Sequence, residues 1–380
     1  MAGQRVVTTA MLDAAVKAGD EIELSSLLDN FPHPEQLPDL YRDNGYQPGN
    51  LAESNARQII CCHHCFDTWQ EYAAFRAELS EANSRSVYFE AAAGAIANGD
   101  IDILRGLLAA FPEMVHMRSP RNHHSTLLNY VGANGIESWR QQTPYNAAKI
   151  AQLLLEAGAE VDAWGDMYRG TSTLGLVATS VHPVITGVQQ ELMDVLIRHG
   201  ADPDHAVAPD YTEGMLILAC IHNGRYEPIH YLARHGARVD FEGACALGDL
   251  QKAQLLFANA SPEKHAMGLI WSCQYDHREV AAFLLGQGIP INIYINGTTP
   301  LLAAAYEGQL QMVKILLERG ADMEVTNDYG GTALGQTLWC LSHHRRSAHM
   351  QIMELLIAKG AIIHQDWLAS INELRKQAQP

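Results

Sequence analysis

No apolar run in the 380-residue chain approaches the roughly 20 residues that a membrane helix needs. The N-terminal stretch also lacks an apolar signal-peptide core followed by a cleavage site, so a soluble protein without a membrane partner is expected. Positive charge is scarce: 26 Lys and Arg stand against 43 Asp and Glu, a formal net charge of −17. A chain without a basic face does not suit phosphate backbones, which argues against a nucleic-acid partner and for basic or neutral ones. Cysteine is limited to 7 residues, an odd number without a small-scaffold spacing pattern, as reduced thiols in a cytoplasmic protein would be. G-x-S-x-G, P-loop and dinucleotide fingerprints are missing, and no cofactor is implied.

Metal-ligand spacing is missing too. In Cys61-Cys62-His63-His64-Cys65 the residues are adjacent, so on a helix they point all round it; Cys61 shares a face only with His64 or Cys65. Structural zinc sites favour ligands two to four residues apart, and no second C-x-x-C or H-x-x-x-H completes a set. His343, His344 and His349 read as a solvated insertion.

What the chain has is internal repetition. The stretch 299–322 reads TPLLAAAYEGQLQMVKILLERGAD. Thr299 is placed to cap a helix whose Pro300 costs nothing in the first turn, and Gly308 permits the left-handed backbone that ends it. A second helix follows with Met312, Val313, Ile315, Leu316 and Leu317 inward, and stops at Gly320. Residues 10–32 and 90–112 match each other at an offset of 80, pairing Gly19-Asp20 with Gly99-Asp100 and Phe31-Pro32 with Phe111-Pro112. Asp20, Asp100 and Asp249 follow glycines at the starts of second helices, where a carboxylate suits the helix dipole. Further units run through Thr126–Ala159, Ser172–Asp202, Met215–Asp240, Glu242–Phe257, Lys264–Asn292 and Thr332–Ala361. One unit cannot bury its apolar faces alone and needs neighbours.

These residues resemble the ankyrin repeat, two antiparallel helices and a β-turn. The resemblance implies an all-α ankyrin-repeat solenoid of about eight or nine degenerate units. Expected boundaries are a degenerate repeat over 1–32, a non-repeat loop and helix over 33–86, the array over 87–364, and a capping helix over 365–380. Residues 33–49 read as a loop. Leu51–Leu79 reads as helix, with Phe66, Trp69, Tyr72 and Phe75 as a core-type aromatic stripe, and the aromatic content of the whole segment His33–Arg85 makes dimerisation through it a further expectation. Insertions are expected near 136–146 and 342–348. In the capping helix Trp367, Leu368, Ile371 and Leu374 are expected to turn inward.

Ankyrin proteins generally bind other proteins through a concave groove and the turn tips, so a protein-binding scaffold is the first functional expectation. One stretch, Arg121–His182, carries more polar equipment than packing needs. Its blocks STLLNYVGANGIE, RQQTPYNA and VATSVHP resemble a group of bacterial ankyrin-repeat proteins. There Asn129 and His182 occupy positions that usually brace turns by hydrogen bonds. The alternative is a small-molecule or enzymatic site for a small polar or anionic ligand. Arg140 would be its anion anchor, with Asn134, Gln141, Thr143 and Asn146 nearby, and Trp139, Tyr145, Trp164 and Tyr168 as walls. His123, His124 or His182 would be its acid or base. Such a site requires Arg140, Asn134, Gln141 and a histidine to converge; the competing reading is an insert satisfied by its own arginine and amides.

Overall fold

The computed structural model describes residues 7–31, 37, 41, 53–81, 83–204, 215–343 and 347–377. The expected loop over 33–49 and the centre of the insertion near 342–348 lie almost wholly outside them. The described residues are helical, without strands; three isolated β-bridges, such as Ile295 with Thr298, mark turns between helix pairs. None of these helices is long and apolar enough to cross a membrane. The fold is all-α, and it divides into two compact units, residues 1–228 with 234–237 and residues 229–233 with 238–380.

In the first unit, Thr9–Ala18 and Glu21–Asp29 form one helix pair and Arg85–Asn98 and Ile101–Ala110 another. Gly19 and Gly99 end the leading helices with φ of 70° and 82°, a region L-residues avoid. Asp20 then caps its helix by accepting from the Glu23 N–H, whereas Asp100, expected to act alike, makes no side-chain cap. The expected single helix over 51–79 is two, Glu53–His63 and Trp69–Ser80. Cys65 turns left-handed (φ 59°) between them, and Thr68 and Glu71 form a capping box that starts the second. Phe66, Tyr72 and Phe75 are buried with Leu12, Val16, Leu28 and Ile60, and Trp69 packs against them, so these rings belong to the core.

Beyond residue 110 the helices shorten. The helix expected after Thr126 is a 3₁₀ turn, Leu128–Gly132, and the expected insert holds another, Ser138–Arg140, before Ala147–Glu156. Thr173–Thr179, His182–Ile185, Gln189–Arg198, Leu216–His222 and Tyr226–Arg234 follow, with Val181-His182-Pro183 opening the short second helix of these.

In the second unit, the leading helices Phe241–Leu247, Pro262–Gln274, Pro300–Glu307 and Ala333–His343 pack in succession, each backed by a trailing helix: Leu250–Phe257, Arg278–Gly286, Leu310–Glu318 and Ser347–Ala358. Their inner faces form one apolar core around Leu269, Leu284, Leu302, Met312, Leu316, Leu334 and Leu356. Successive pairs are tied by one device. The residue opening a trailing helix donates to a carbonyl at the end of the preceding pair's leading helix: His277 Nε2 to Ala246 O (2.7 Å), Gln309 Nε2 to Gln274 O (2.9 Å). His349 Nε2, one turn into its helix, donates to Tyr306 O at 2.9 Å. Carbonyls that a helix end leaves without intrahelical partners are thereby satisfied. At the C-terminus a 3₁₀ turn, Gln365–Trp367, leads into Leu368–Gln377. Ile371 is buried and Trp367 and Leu374 pack on the core, but Leu368, expected inward, is 47% exposed because it lies in the first turn, off the buried face.

Candidate functional site

The polar stretch 121–182 folds around a buried cluster of charges. Helix Arg85–Asn98 presents Glu90 on an otherwise apolar face beside Phe89 and Ala93. Arg121 lies in the turn before His123, and the insert brings Glu137 and Arg140. Arg121 Nη2 and Arg140 Nη1 bond the same Glu90 oxygen at 2.9 and 2.8 Å. Glu137 Oε1 lies 2.5 Å from Arg121 Nε and 2.8 Å from Arg140 Nη1, and accepts from Tyr130 Oη at 3.3 Å. Arg140 Nη2 donates to Glu90 O (3.0 Å) and Arg121 Nη1 to His64 O (2.7 Å). Glu137 is fully buried. Phe75 covers the Arg121 guanidinium at 4.7 Å from its ring centroid, and Phe66 and Trp139 flank it.

Two guanidiniums and two carboxylates balance, so the cluster is neutral. Burial raises the Glu90 pKa, but Arg121 and Arg140 outweigh it and hold the carboxyl below its ordinary value. Burial, then the two carboxylates, push Tyr130 well above the usual phenol range. Burial and the neighbouring Arg121 drive His123 down to about 3, so this imidazole is neutral near pH 7 and ill-suited to proton transfer there. His123 Nδ1 accepts from the Ser125 N–H (3.2 Å), which places the ring proton on Nε2, 3.8 Å from Glu137 Oε2. Burial likewise takes His64 to about 4.

The other residues expected in the stretch are placed as follows. Asn129 is buried and accepts from Thr126 N and Oγ1 (2.9 and 3.1 Å), while its amide donates to Ala163 O and Thr173 Oγ1 (3.1 and 3.0 Å). It braces three segments. Gln141 donates to Ile136 O, Asn146 to Gly99 O, and Thr143 is buried beside the insert. Trp139 packs on the His63 and His64 rings. Asn134 accepts from Tyr168 Oη at 2.7 Å, Tyr168 itself standing exposed in a left-handed conformation. Tyr145 is exposed and Trp164 half-buried, its carbonyl held by Arg118. His124 pairs with Asp166 (2.7 Å) at the surface, and the His182 N–H donates to Ser180 Oγ. The structure thus joins Arg140 to Glu90, Glu137, Arg121 and Tyr130. It sends Asn134, Gln141, Tyr145 and the exposed histidines elsewhere. Arg121 opened the polar stretch without a role assigned to it, and Glu90 had no part in the sequence reading; the available signal was a lone carboxylate, Glu90, in the run VYFEAAAGAIA.

The second unit holds a different feature. Tyr306 and Trp339 occupy the same place on successive leading helices, 33 residues apart, and their rings stack across the gap (centroids 6.4 Å, planes 20° apart). His343 stacks on Trp339 at 4.2 Å. The turns before these helices add Tyr294, whose hydroxyl donates to Asp328 Oδ1 (2.6 Å), and Tyr329, 97% exposed.

Residues 241–327 match the family "Ankyrin repeats (3 copies)" and residues 301–357 match "Ankyrin repeats (many copies)". With the helix pairs described above, these matches show that residues 241–357 carry ankyrin repeats. Among curated proteins the chain is similar to the human transient receptor potential cation channel subfamily A member 1, 22% identical over 250 residues that cover 57% of this chain and 21% of that protein. It is similar also to the zebrafish putative palmitoyltransferase ZDHHC13, 26% identical over 221 residues covering 57% and 28%. The fowlpox virus putative ankyrin repeat protein FPV219 is 26% identical over 190 residues covering 49% and 37%. The chain therefore spans between 21% and 28% of the first two relatives' length. Among solved structures, the human ASB11 ankyrin repeat domain aligns with 72% of this chain and 99% of its own at 19% identity and a TM-score of 0.32.

Proposed function

We propose that the protein is a binding scaffold that takes a protein partner on the leading-helix face and turn tips of its second unit. The observation that carries this reading is the aromatic strip of Tyr306, Trp339 and Tyr329. Repeats need apolar side chains between helices, not on the outer face, and aromatic residues dominate the energetics of protein interfaces. Placed at one repeat position on neighbouring helices, Tyr306 and Trp339 form a flat surface rather than scattered exposure. Arg140 supports the same conclusion from the other side. An anion there would have to displace Glu90 and Glu137, both already bonded to it. A reducing compartment such as the cytoplasm is part of this reading, on the odd number and scattered spacing of the seven cysteines.

The test is a photocrosslinking amino acid placed at Tyr329, or at Leu255 on the trailing helix Leu250–Phe257, which is also largely exposed. Discrete adducts in cells are expected from position 329 and not from 255, and Trp339→Ala should diminish them. Adducts from 255 alone, or adducts indifferent to Trp339→Ala, would overturn the assignment.

A further inference from the structure

We propose that Asn134-Gly135 is a site of spontaneous deamidation, made reactive by the hydroxyl of Tyr168. It lies in the first unit and involves none of the residues assigned to partner binding. Asn-Gly pairs are the most open to this chemistry, because glycine puts no side chain in the path of its own nitrogen. The chain has five such pairs. Asn44-Gly45 lies outside the described residues, and the other four differ in the two features that decide the reaction.

The first feature is the nucleophile. At two helix ends the Gly99 N–H donates to Ile96 O at 3.2 Å and the Gly224 N–H to Ile221 O at 2.9 Å, which ties up both nitrogens. The Gly135 and Gly297 N–H groups have no hydrogen-bond acceptor among the described residues. The second feature is the electrophile. A donor on the side-chain carbonyl oxygen stabilises the negative charge that builds there as the nitrogen adds. Tyr168 Oη donates to Asn134 Oδ1 at 2.7 Å, and Gln142 Nε2 to Asn98 Oδ1 at 3.2 Å. Asn223 and Asn296 instead donate from their amide nitrogens, to Ala219 O at 2.8 Å and Met267 Sδ at 3.6 Å. Among the four described pairs, only Asn134-Gly135 joins an unbonded glycine nitrogen to a carbonyl already held by a donor.

The reaction needs only water. Gly135 N bonds to Asn134 Cγ and gives up its proton, the Cγ–Nδ2 bond breaks, and Nδ2 leaves as ammonia, closing a succinimide. Water then opens the ring. Cleavage at Cγ gives aspartate in the normal chain. Cleavage at the backbone carbonyl carbon gives isoaspartate, whose chain runs through Cγ and is longer by that atom. The extra atom enters two residues before buried Ile136 and three before Glu137 of the charge cluster. Isoaspartate therefore loosens the insert that carries Arg140.

The test ages the full-length protein in warm, mildly alkaline buffer and follows each pair by peptide mapping that separates isoaspartate from aspartate. Position 134 is expected to react first, then 296, with 98 and 223 slowest. Tyr168→Phe, which keeps the ring, should slow position 134 by about three- to tenfold and leave the other three unchanged. In urea the four rates should converge, because the fold sets the ranking. A rate at Asn134 no greater than at Asn296, an order that persists in urea, or a Tyr168→Phe rate equal to or above wild type would overturn the proposal. Were Tyr168→Phe to unfold the first unit, Asn98 and Asn223 would accelerate too, and the wild-type ranking alone would decide. Protein modified at Asn134 should exchange amide hydrogens faster over Arg85–Asn98 than fresh protein. Unaltered exchange there would overturn the loosening of the insert.

Discussion

Arg140→Met tests whether the buried cluster holds the first unit together. The substitution removes three charge-assisted bonds, to Glu90 Oε2 and Glu137 Oε1 at 2.8 Å each and to Glu90 O at 3.0 Å. Methionine fills much of the same volume, so the loss is electrostatic. Arg121 is then left to neutralise two carboxylates, and the buried cluster changes from neutral to a net charge of −1. Breaking a buried pair from one side costs about 3–5 kcal/mol. Against a total stability of about 5–15 kcal/mol this is a large fraction. A unit of this size should lose about 6–20 °C in its melting temperature. Because the protein has two units, one global transition would blur the effect. Hydrogen exchange over Arg85–Asn98 reads it locally, with protection expected to fall by about 10²–10³-fold. Glu90→Gln in the same background should recover part of the loss, because it removes one of the stranded charges. A change below about 1 kcal/mol, with exchange over that helix unaltered, would refute the argument. Arg140 would then be dispensable to the fold, and a ligand role would return to consideration.

Three further outcomes follow from the same geometry. His64 and His123 are buried neutral with pKa values near 4 and 3, below the roughly 6.5 of an unfolded chain, so their stabilisation is complete above pH 6.5 and lost as pH falls towards 3. Each should cost the first unit roughly 2 kcal/mol by pH 5, and the acid slope of urea-unfolding stability should shrink by about half in His123→Gln; an unchanged slope would contradict the burial argument. Gly248 ends Phe241–Leu247 with φ of 73°, and an added Cβ would stand 2.4 Å from His277 Nδ1, so Gly248→Ala should displace the His277–Ala246 bond and destabilise the second unit by about 2–4 kcal/mol in denaturant titration. Asn129→Ala strands four partners in a sealed site and should cost about 2–4 kcal/mol, whereas an exposed control, Tyr145→Ala, should change melting by less than about 0.5 kcal/mol.

The fold was legible because its signals are local and repeat. Gly-Asp breaks, the Thr-Pro helix start at Thr299 and the trailing apolar runs each act within a few residues, and the structure puts helix ends at Gly19, Gly99, Gly248 and Gly308 with positive φ. Reading failed where one residue overrode a periodicity. The aromatic spacing of Phe66, Trp69, Tyr72 and Phe75 is helical, but the left-handed Cys65 and the capping box at Thr68 divide the helix, and period alone carries no sign of either. The polar stretch was conspicuous for a sound reason, since Arg140, Asn129 and Glu137 are indeed out of place in a helix pair. Their meaning was hidden because the decisive partner, Glu90, lies 50 residues from Arg140 and 31 from Arg121. A guanidinium aimed at solvent and one locked between two carboxylates read identically in one dimension. What separates them is the long-range contact. Arg140 is bonded to the protein's own acids, while the partly exposed rings of Tyr306 and Trp339 lie on ordinary repeats, where they stood unnoticed because each fits its repeat's pattern. In a repeat protein an irregular segment is as readily the repair of a weakened unit as a site. Leu128–Gly132 is a five-residue 3₁₀ turn where a helix was expected, and the Arg140 cluster adds polar interior bonds, through Tyr130 and Glu137, to the apolar contacts that this turn still makes.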